Sequence, residues 1–295
     1  MAHDHSHHDH SDTVTVKSDN RKAFLLGIFL NLAFVFVELI AGIIYNSMSL
    51  LTDAGHNASD VASLLLSLVA FWIAGKKSTS VYTYGFKKTT VLAALINAVV
   101  LLIAIGILGF SSVMRLAHPQ PVQGGVIAWV AAAGIFVNAI SAWIFYKNRK
   151  SDLNIKSAYL HLLADALVSA GVVAGGIVMS FTNWYWLDPA IGLVVMIVIL
   201  AGTWSLLRDS FKMTIDAVPA GIELDEIKKL ILQIGHVKKV GHIHVWPLST
   251  TENALTAHVA VSDELSYPEK LEVVKQIKHE LLHHNIHHST IELGL

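Results

Sequence analysis

The segment LTDAGHNASDVASLLL, Leu51 to Leu66, sets Asp53, His56 and Asp60 at i, i+3 and i+7 within an apolar run, a spacing that puts all three on one helical face. A second run, YLHLLADALVSA, repeats the H-x-x-x-D spacing as His161 and Asp165. Four residues make about one helical turn, so each pair projects one imidazole nitrogen and one carboxylate oxygen from the same face. These are ligand types for divalent zinc-like metals, imidazole above all. Two pairs brought together make an N2O2 tetrahedral shell, with Zn–N near ~2.0 Å and Zn–O near ~2.1 Å. Two carboxylates neutralise a divalent ion, which suits a low-dielectric site. The alternative is a hydrogen-bonded polar network that locks helices together, or a proton relay without metal. Repetition of the pair favours metal. Asp53 lies toward the outer end of the same face, either lining an access path or serving as an interhelical partner. For Glu38, Asn31, Asn97 and Asn138, packing or network roles are expected ahead of direct ligation.

The elements that must position these residues are membrane spans. Of 295 residues 54% are hydrophobic and 15% charged, the mean hydropathy is +0.55, and several apolar runs reach the ~20 residues that cross a bilayer. Six spans are predicted, over residues 23–45, 48–74, 89–114, 126–146, 153–181 and 189–207. Lys17, Arg21 and Lys22 precede the first. Lys76, Lys77, Lys87 and Lys88 lie between the second and third, and Lys147, Arg149, Lys150 and Lys156 between the fourth and fifth. By the positive-inside rule these flanks and both termini are cytoplasmic. Spans 2 and 5 then run in opposite directions. At 1.5 Å per residue, Asp60 lies roughly 18 Å from the outer edge of a ~30 Å core and Asp165 roughly 18 Å from the inner edge. The two pairs overlap near the midplane.

The net charge of -1 gives no basic field for nucleic acid, and the absence of Cys excludes disulfides and thiolate metal sites. The chain has 17 His, five of them in the first ten residues and nine between His236 and His288. The opening MAHDHSHHDHSD lacks the apolar core of a signal peptide and reads as a His-rich tail, either a weak metal binder or a specific site. From about Asp209 the composition is that of a soluble domain. Residues 222–234 read as an amphipathic helix with Glu223, Asp225 and Glu226 near its N-terminus. Residues 239–247 and 255–261 read as strands, 268–284 as a helix opened by Pro, and 290–293 as a last strand. This is a small αββαβ sandwich, too small to bury much core alone, so docking or dimerisation is expected.

DAGHNASD, HLLADAL, YGFKKTTVLAALIN, the Asp188-Pro189 step and HIHVWPLSTTENALTAHVAV together resemble the cation diffusion facilitator family, in particular its bacterial zinc, cadmium and cobalt exporters. The resemblance covers nearly the whole chain. It implies a polytopic α-helical membrane protein with six transmembrane helices and a C-terminal cytoplasmic α/β ferredoxin-like domain. It implies a homodimer in the cell membrane that exports Zn2+, or Cd2+ or Co2+, in exchange for protons. The corresponding domains are a His-rich tail over 1–20, a transport domain over 21–208 and a metal-binding, dimerising domain over 209–295. By position, His56, Asp60, His161 and Asp165 resemble the transport site. Lys88 and Asp216 resemble a charge pair between protomers, with two ordinary interfacial charges as the alternative. His244, His258, His287 and Glu292 resemble the metal ligands of the cytoplasmic domain. Gly294 stands where an acid is common, so that site looks incomplete unless His242, His283 or the N-terminal tail substitutes. Residues 76–88 hold neither His nor Asp, so no loop site is expected. No organic cofactor is implied. Two other classes remain to be weighed. A membrane-anchored metal sensor would bind metal without flux, and an intramembrane zinc hydrolase would need an open coordination position and a general base.

Overall fold

A computed structural model describes residues 18–146 and 153–294, so the expected His-rich tail and the Lys147, Arg149 and Lys150 cluster lie outside the described residues. The element order is α1 (Ser18–Ile44), α2 (Met48–Ala74), α3 (Thr89–Ala117), α4 (Gly124–Tyr146), α5 (Leu153–Thr182) and α6 (Leu187–Thr214). Then follow α7 (Leu224–Leu232), β1 (Val237–Pro247), β2 (Asn253–Val261), α8 (Tyr267–Leu282) and β3 (Ile286–Leu293). Among the described residues, α2 to α6 each contain a stretch long and apolar enough to cross a membrane, and α1 contributes the shorter apolar stretch Phe29–Ile44. Large apolar side chains face outward from them, including Phe181, Trp129 and Trp143. In water that surface would be an aggregation hazard; in lipid it is the ordinary exterior.

Packing divides the chain into two compact units, Met1–Ala58 with Arg115–Gly192 and Ser59–Met114 with Leu193–Leu295. In the first, α4 and α5 approach closely because glycine removes the side chains between them. A Cβ built on Gly176 would lie 2.7 Å from the Ala128 backbone nitrogen, and one on Gly124 would lie 2.5 Å from the Gly176 carbonyl. With no hydrophobic drive between helices in lipid, such small-residue contacts are a principal source of attraction. Leu50, Ile127, Ala131, Val172 and Met179 fill the space around this seam.

The second unit contains the C-terminal domain. Its α7-β1-β2-α8-β3 order gives a three-stranded sheet, β1-β2-β3, in which β1 pairs antiparallel and β3 parallel to β2. One face buries Val240, Val245, Leu255, Ala257 and Val259 against Ile227 and Ile231 of α7 and Val273, Ile277 and Leu281 of α8. Alternation along β2 puts the His258 side on the opposite face.

Several boundaries differ from those expected from sequence, and two of them bear on the C-terminal domain. Helix α6 runs on to Thr214, seven residues past the apolar stretch, because Arg208, Asp209 and Lys212 suit a helix as well as a loop. The change of composition at Asp209 therefore falls inside a helix. Strand β3 starts at Ile286, four residues before the expected Thr290. A bulge hides its beginning: Asn253 pairs with Ile286 but Ala254 with His288, leaving His287 as the extra residue. Two successive exposed His break the period-2 pattern by which a strand is recognised.

Candidate metal centre

Helix α2 is anchored at its first turn by a carboxylate from another helix. The backbone N–H of Met48 donates to Asp188 Oδ2 at 2.6 Å, and the Ser49 N–H to Oδ1 at 3.2 Å. The Ser47 and Ser49 hydroxyls donate to Oδ1 at 2.6 Å each. Asp188 is fully buried and satisfies the N–H groups that an α-helix leaves open at its start. From sequence Asp188 stands out only through the resemblance, although an acid in the first turn of α6 is a legible sign of such work. Because α2 is regular from Met48 onward, His56 and Asp60 stand one turn apart on one side of it.

Helix α5 supplies the facing residues. His56 Nε2 lies 3.3 Å from Asp165 Oδ1, and His161 Nε2 lies 3.6 Å from Asp165 Oδ2. The His56 and His161 rings meet edge to face at 5.9 Å between centroids. His56, Asp60 and Asp165 each offer one ligand atom within 4.8 Å of the others. His161 stands outside that trio, with 48% of its side chain exposed against 8% for Asp165. Asp165 is thus the hub, reached by both imidazoles. A proton on an imidazole nitrogen and a divalent ion are alternative ways to join these nitrogen and oxygen atoms, so the cluster can exchange one for the other.

Asp53 is almost wholly buried and accepts a hydrogen bond from the Ser169 hydroxyl on α5 at 3.3 Å. This makes it an interhelical partner, one of the two roles open to it from sequence. Glu38 is fully buried on α1 and accepts from Asn57 Nδ2 at 3.0 Å.

In the C-terminal domain the grouping differs from the one the resemblance implied. His258 Nε2 lies 3.3 Å from Glu292 Oε2, consistent with their cross-strand pairing. The third member is His242, whose ring centroid is 4.8 Å from that of His258. His242 sits in a β1 bulge between Gly241 and His244 with φ 47, and that left-handed turn of the chain brings its ring beside His258. His244, exposed and paired with Thr256, and His287, exposed in the β3 bulge, are not brought into this group. His288 instead packs edge to face on Tyr84 at 5.2 Å.

Lys88 and Asp216 form an ion pair within the single chain. Lys88 opens α3 and also donates to the Pro247 carbonyl at 2.9 Å, while Asp216 follows α6 in a left-handed turn with φ 59. Alongside, Lys87 Nζ donates to Glu252 Oε2 at 2.5 Å and the Thr250 N–H donates to Thr90 Oγ1 at 3.1 Å. The β1–β2 connection is thereby tied to the start of α3.

Residues 24–213 match the family model described as the cation efflux transmembrane domain, and residues 219–293 match that of the cation efflux protein, cytoplasmic domain. The chain belongs to the cation diffusion facilitator family. It is 32% identical over 295 residues to a cadmium, cobalt and zinc/H(+)-K(+) antiporter of Bacillus velezensis, covering 99% of this chain and 92% of that one. It is 31% identical over 296 residues to the zinc transporter ZitB of Escherichia coli, with 99% and 92% covered. With the metal cation efflux system protein CzcD of Cupriavidus metallidurans it shares 34% over 290 residues, covering 98% and 89%. This cation diffusion facilitator is a multi-pass membrane transporter of metal cations and not an enzyme.

Proposed function

We propose that the protein exports Zn2+, and to a lesser degree Cd2+ or Co2+, from the cytoplasm in exchange for protons. The observation that carries this reading is the placement of His56, Asp60 and Asp165 with ligand atoms within 4.8 Å of one another inside apolar helices, with His161 3.6 Å from Asp165. A two-His, two-Asp shell suits zinc better than an all-carboxylate site, which favours manganese. The metals in the names of the relatives support the same choice.

The residues act in a simple sequence. With the site open to the cytoplasm, neutral imidazoles and ionised carboxylates take up the ion. Rocking of the helices then turns the site outward around the fixed ligands. Protons arriving from outside compete for the same nitrogen and oxygen atoms and displace the ion. An inward proton gradient drives the cycle, with both termini cytoplasmic and the protein in the cell membrane. Residues 21–208 form the transport domain, and the C-terminal domain, matched by a cytoplasmic-domain model, joins two copies. Metal held near His258 and Glu292 draws these copies together and biases transport. The tethers at Lys87, Lys88 and Thr90 connect that domain to α3.

In inside-out vesicles energised by a pH gradient, His161→Ala is expected to abolish zinc uptake while the purified protein keeps its wild-type size and helicity. Uptake at the wild-type rate in that variant would contradict the assignment.

A further inference from the structure

Next to the candidate ligands lies a pair of carboxyl groups that metal chemistry does not use. Glu38, on α1, is 0% exposed and Asp53, on α2, is 1% exposed. Each has one oxygen supplied with a donor: Asn57 Nδ2 at 3.0 Å for Glu38 Oε2, and the Ser169 hydroxyl at 3.3 Å for Asp53 Oδ2. Among the described residues Glu38 Oε1 meets no donor, and Asn57, which holds Glu38, stands one turn along α2 from Asp53, so Glu38 meets α2 on the face that carries Asp53. A buried acceptor left without a donor costs free energy, and two adjacent ionised carboxylates in an apolar setting cost more.

The apolar part of α1 (Phe29–Ile44), all of α2 and α4, and α5 from Tyr159 to Thr182 contain no Lys or Arg. Helix α4 carries no Asp, Glu or His either. The titratable groups that face the pair are His56 on α2 and Asp165 on α5, and a neutral His56 is what metal binding requires. One hydrogen shared by the two carboxyls supplies a donor and removes one negative charge. Two carboxylates sharing one proton are a recurrent solution to this problem.

We propose that Glu38 and Asp53 form a proton-binding site of their own, separate from the four metal ligands, which holds one proton between two carboxyls and exchanges it during transport. Loading is a plain proton transfer. A hydronium ion gives its proton to one carboxylate oxygen, an O–H bond forms there, and a water molecule is left. Release is the reverse, to water on the cytoplasmic side. The transporter then carries inward one proton per cycle more than the metal ligands exchange. This exchange rests on the antiport reading above, whereas the resting protonation of the pair does not.

The experiment is infrared difference spectroscopy of the full chain in liposomes. Wild type should show a carboxylic-acid C=O band that shifts in deuterated water and survives saturation with zinc, because zinc strips protons only from its own ligands. Glu38→Gln, whose amide donates permanently to Asp53, should lose that band, and Asp53→Asn should lose it too. Both should keep the wild-type number of bound zinc ions. In the same liposomes, Glu38→Gln should carry one proton fewer per zinc ion, so that a pH gradient stimulates its zinc flux less steeply than that of wild type. A wild-type spectrum without a zinc-resistant acid band, or a band that persists in both variants, would overturn the proposal. Wild-type zinc flux that ignores the pH gradient while the band is present would instead overturn antiport and the exchange step, leaving the protonated pair standing.

Discussion

The molecule contains two groups of His and acid with the same chemistry and opposite surroundings. In the membrane helices, His56 and Asp165 are 15% and 8% exposed. In the C-terminal domain, His258 and Glu292 are 37% and 69% exposed. The buried group must be close to neutral once loaded, because charge in a low-dielectric interior is costly. Two carboxylates against one divalent ion meet that requirement. The exposed group has no such constraint, and its His-carboxylate contact is screened by water and salt. Under the proposed function, burial suits one group to bind an ion that protons displace, and exposure suits the other to sense metal that comes and goes. The two also differ in construction. A helix turn fixes the His56 and Asp60 spacing, whereas a cross-strand register and a bulge fix His242, His258 and Glu292.

The largest break in this comparison should come from Asp165→Asn. Asp165 is approached by both imidazoles, so this variant is expected to bind one zinc ion fewer per chain by equilibrium dialysis, with the C-terminal zinc retained. A smaller effect is expected from His258→Ala. Outer partners of metal ligands are worth about 10- to 100-fold in affinity, and a direct ligand should cost at least that in C-terminal zinc affinity. Titration should show the membrane site unchanged in this variant, and the response of flux to cytoplasmic zinc should flatten.

The smallest effect concerns the scaffold beneath the exposed group. The Ser266 N–H and hydroxyl donate to Glu269 Oε2 at 2.7 and 2.6 Å, capping α8. Those donors hold the Glu269 carboxyl below its ordinary value. A carboxyl depressed by folding stabilises the folded state above its unfolded pKa, and that contribution disappears as pH falls through the lower folded value. Glu269→Gln should therefore lower the melting temperature slightly at neutral pH, with the gap to wild type closing in acid. A gap that does not depend on pH would show that the cap acts through packing alone.

The helical half was the more legible one. H-x-x-x-D defines a shared face wherever the backbone is helical, so His56 with Asp60 and His161 with Asp165 could be read as pairs, and all six apolar runs fall on helices, five of which hold a stretch long and apolar enough to cross a membrane. What spacing alone did not reveal was hierarchy: Asp165 as the common partner, His161 at the edge, and Glu38 set against Asp53. Those depend on how α1, α2 and α5 pack, which periodicity does not encode. The sheet was less legible for a definite reason. A bulge displaces register by one residue, so His244 and His287, aligned by resemblance, stand apart while His242 takes the place beside His258. Lys88 and Asp216 were legible as a pair, and in the single chain they meet each other within one protomer.

The most direct test is zinc flux into proteoliposomes with internal pH followed in the same vesicles, using wild type and Asp60→Asn. The account predicts that wild-type zinc movement and proton movement run in opposite directions and rise together with the pH gradient, and that Asp60→Asn loses both. Zinc movement in Asp60→Asn at the wild-type rate, or wild-type zinc movement without any countermovement of protons, would contradict it.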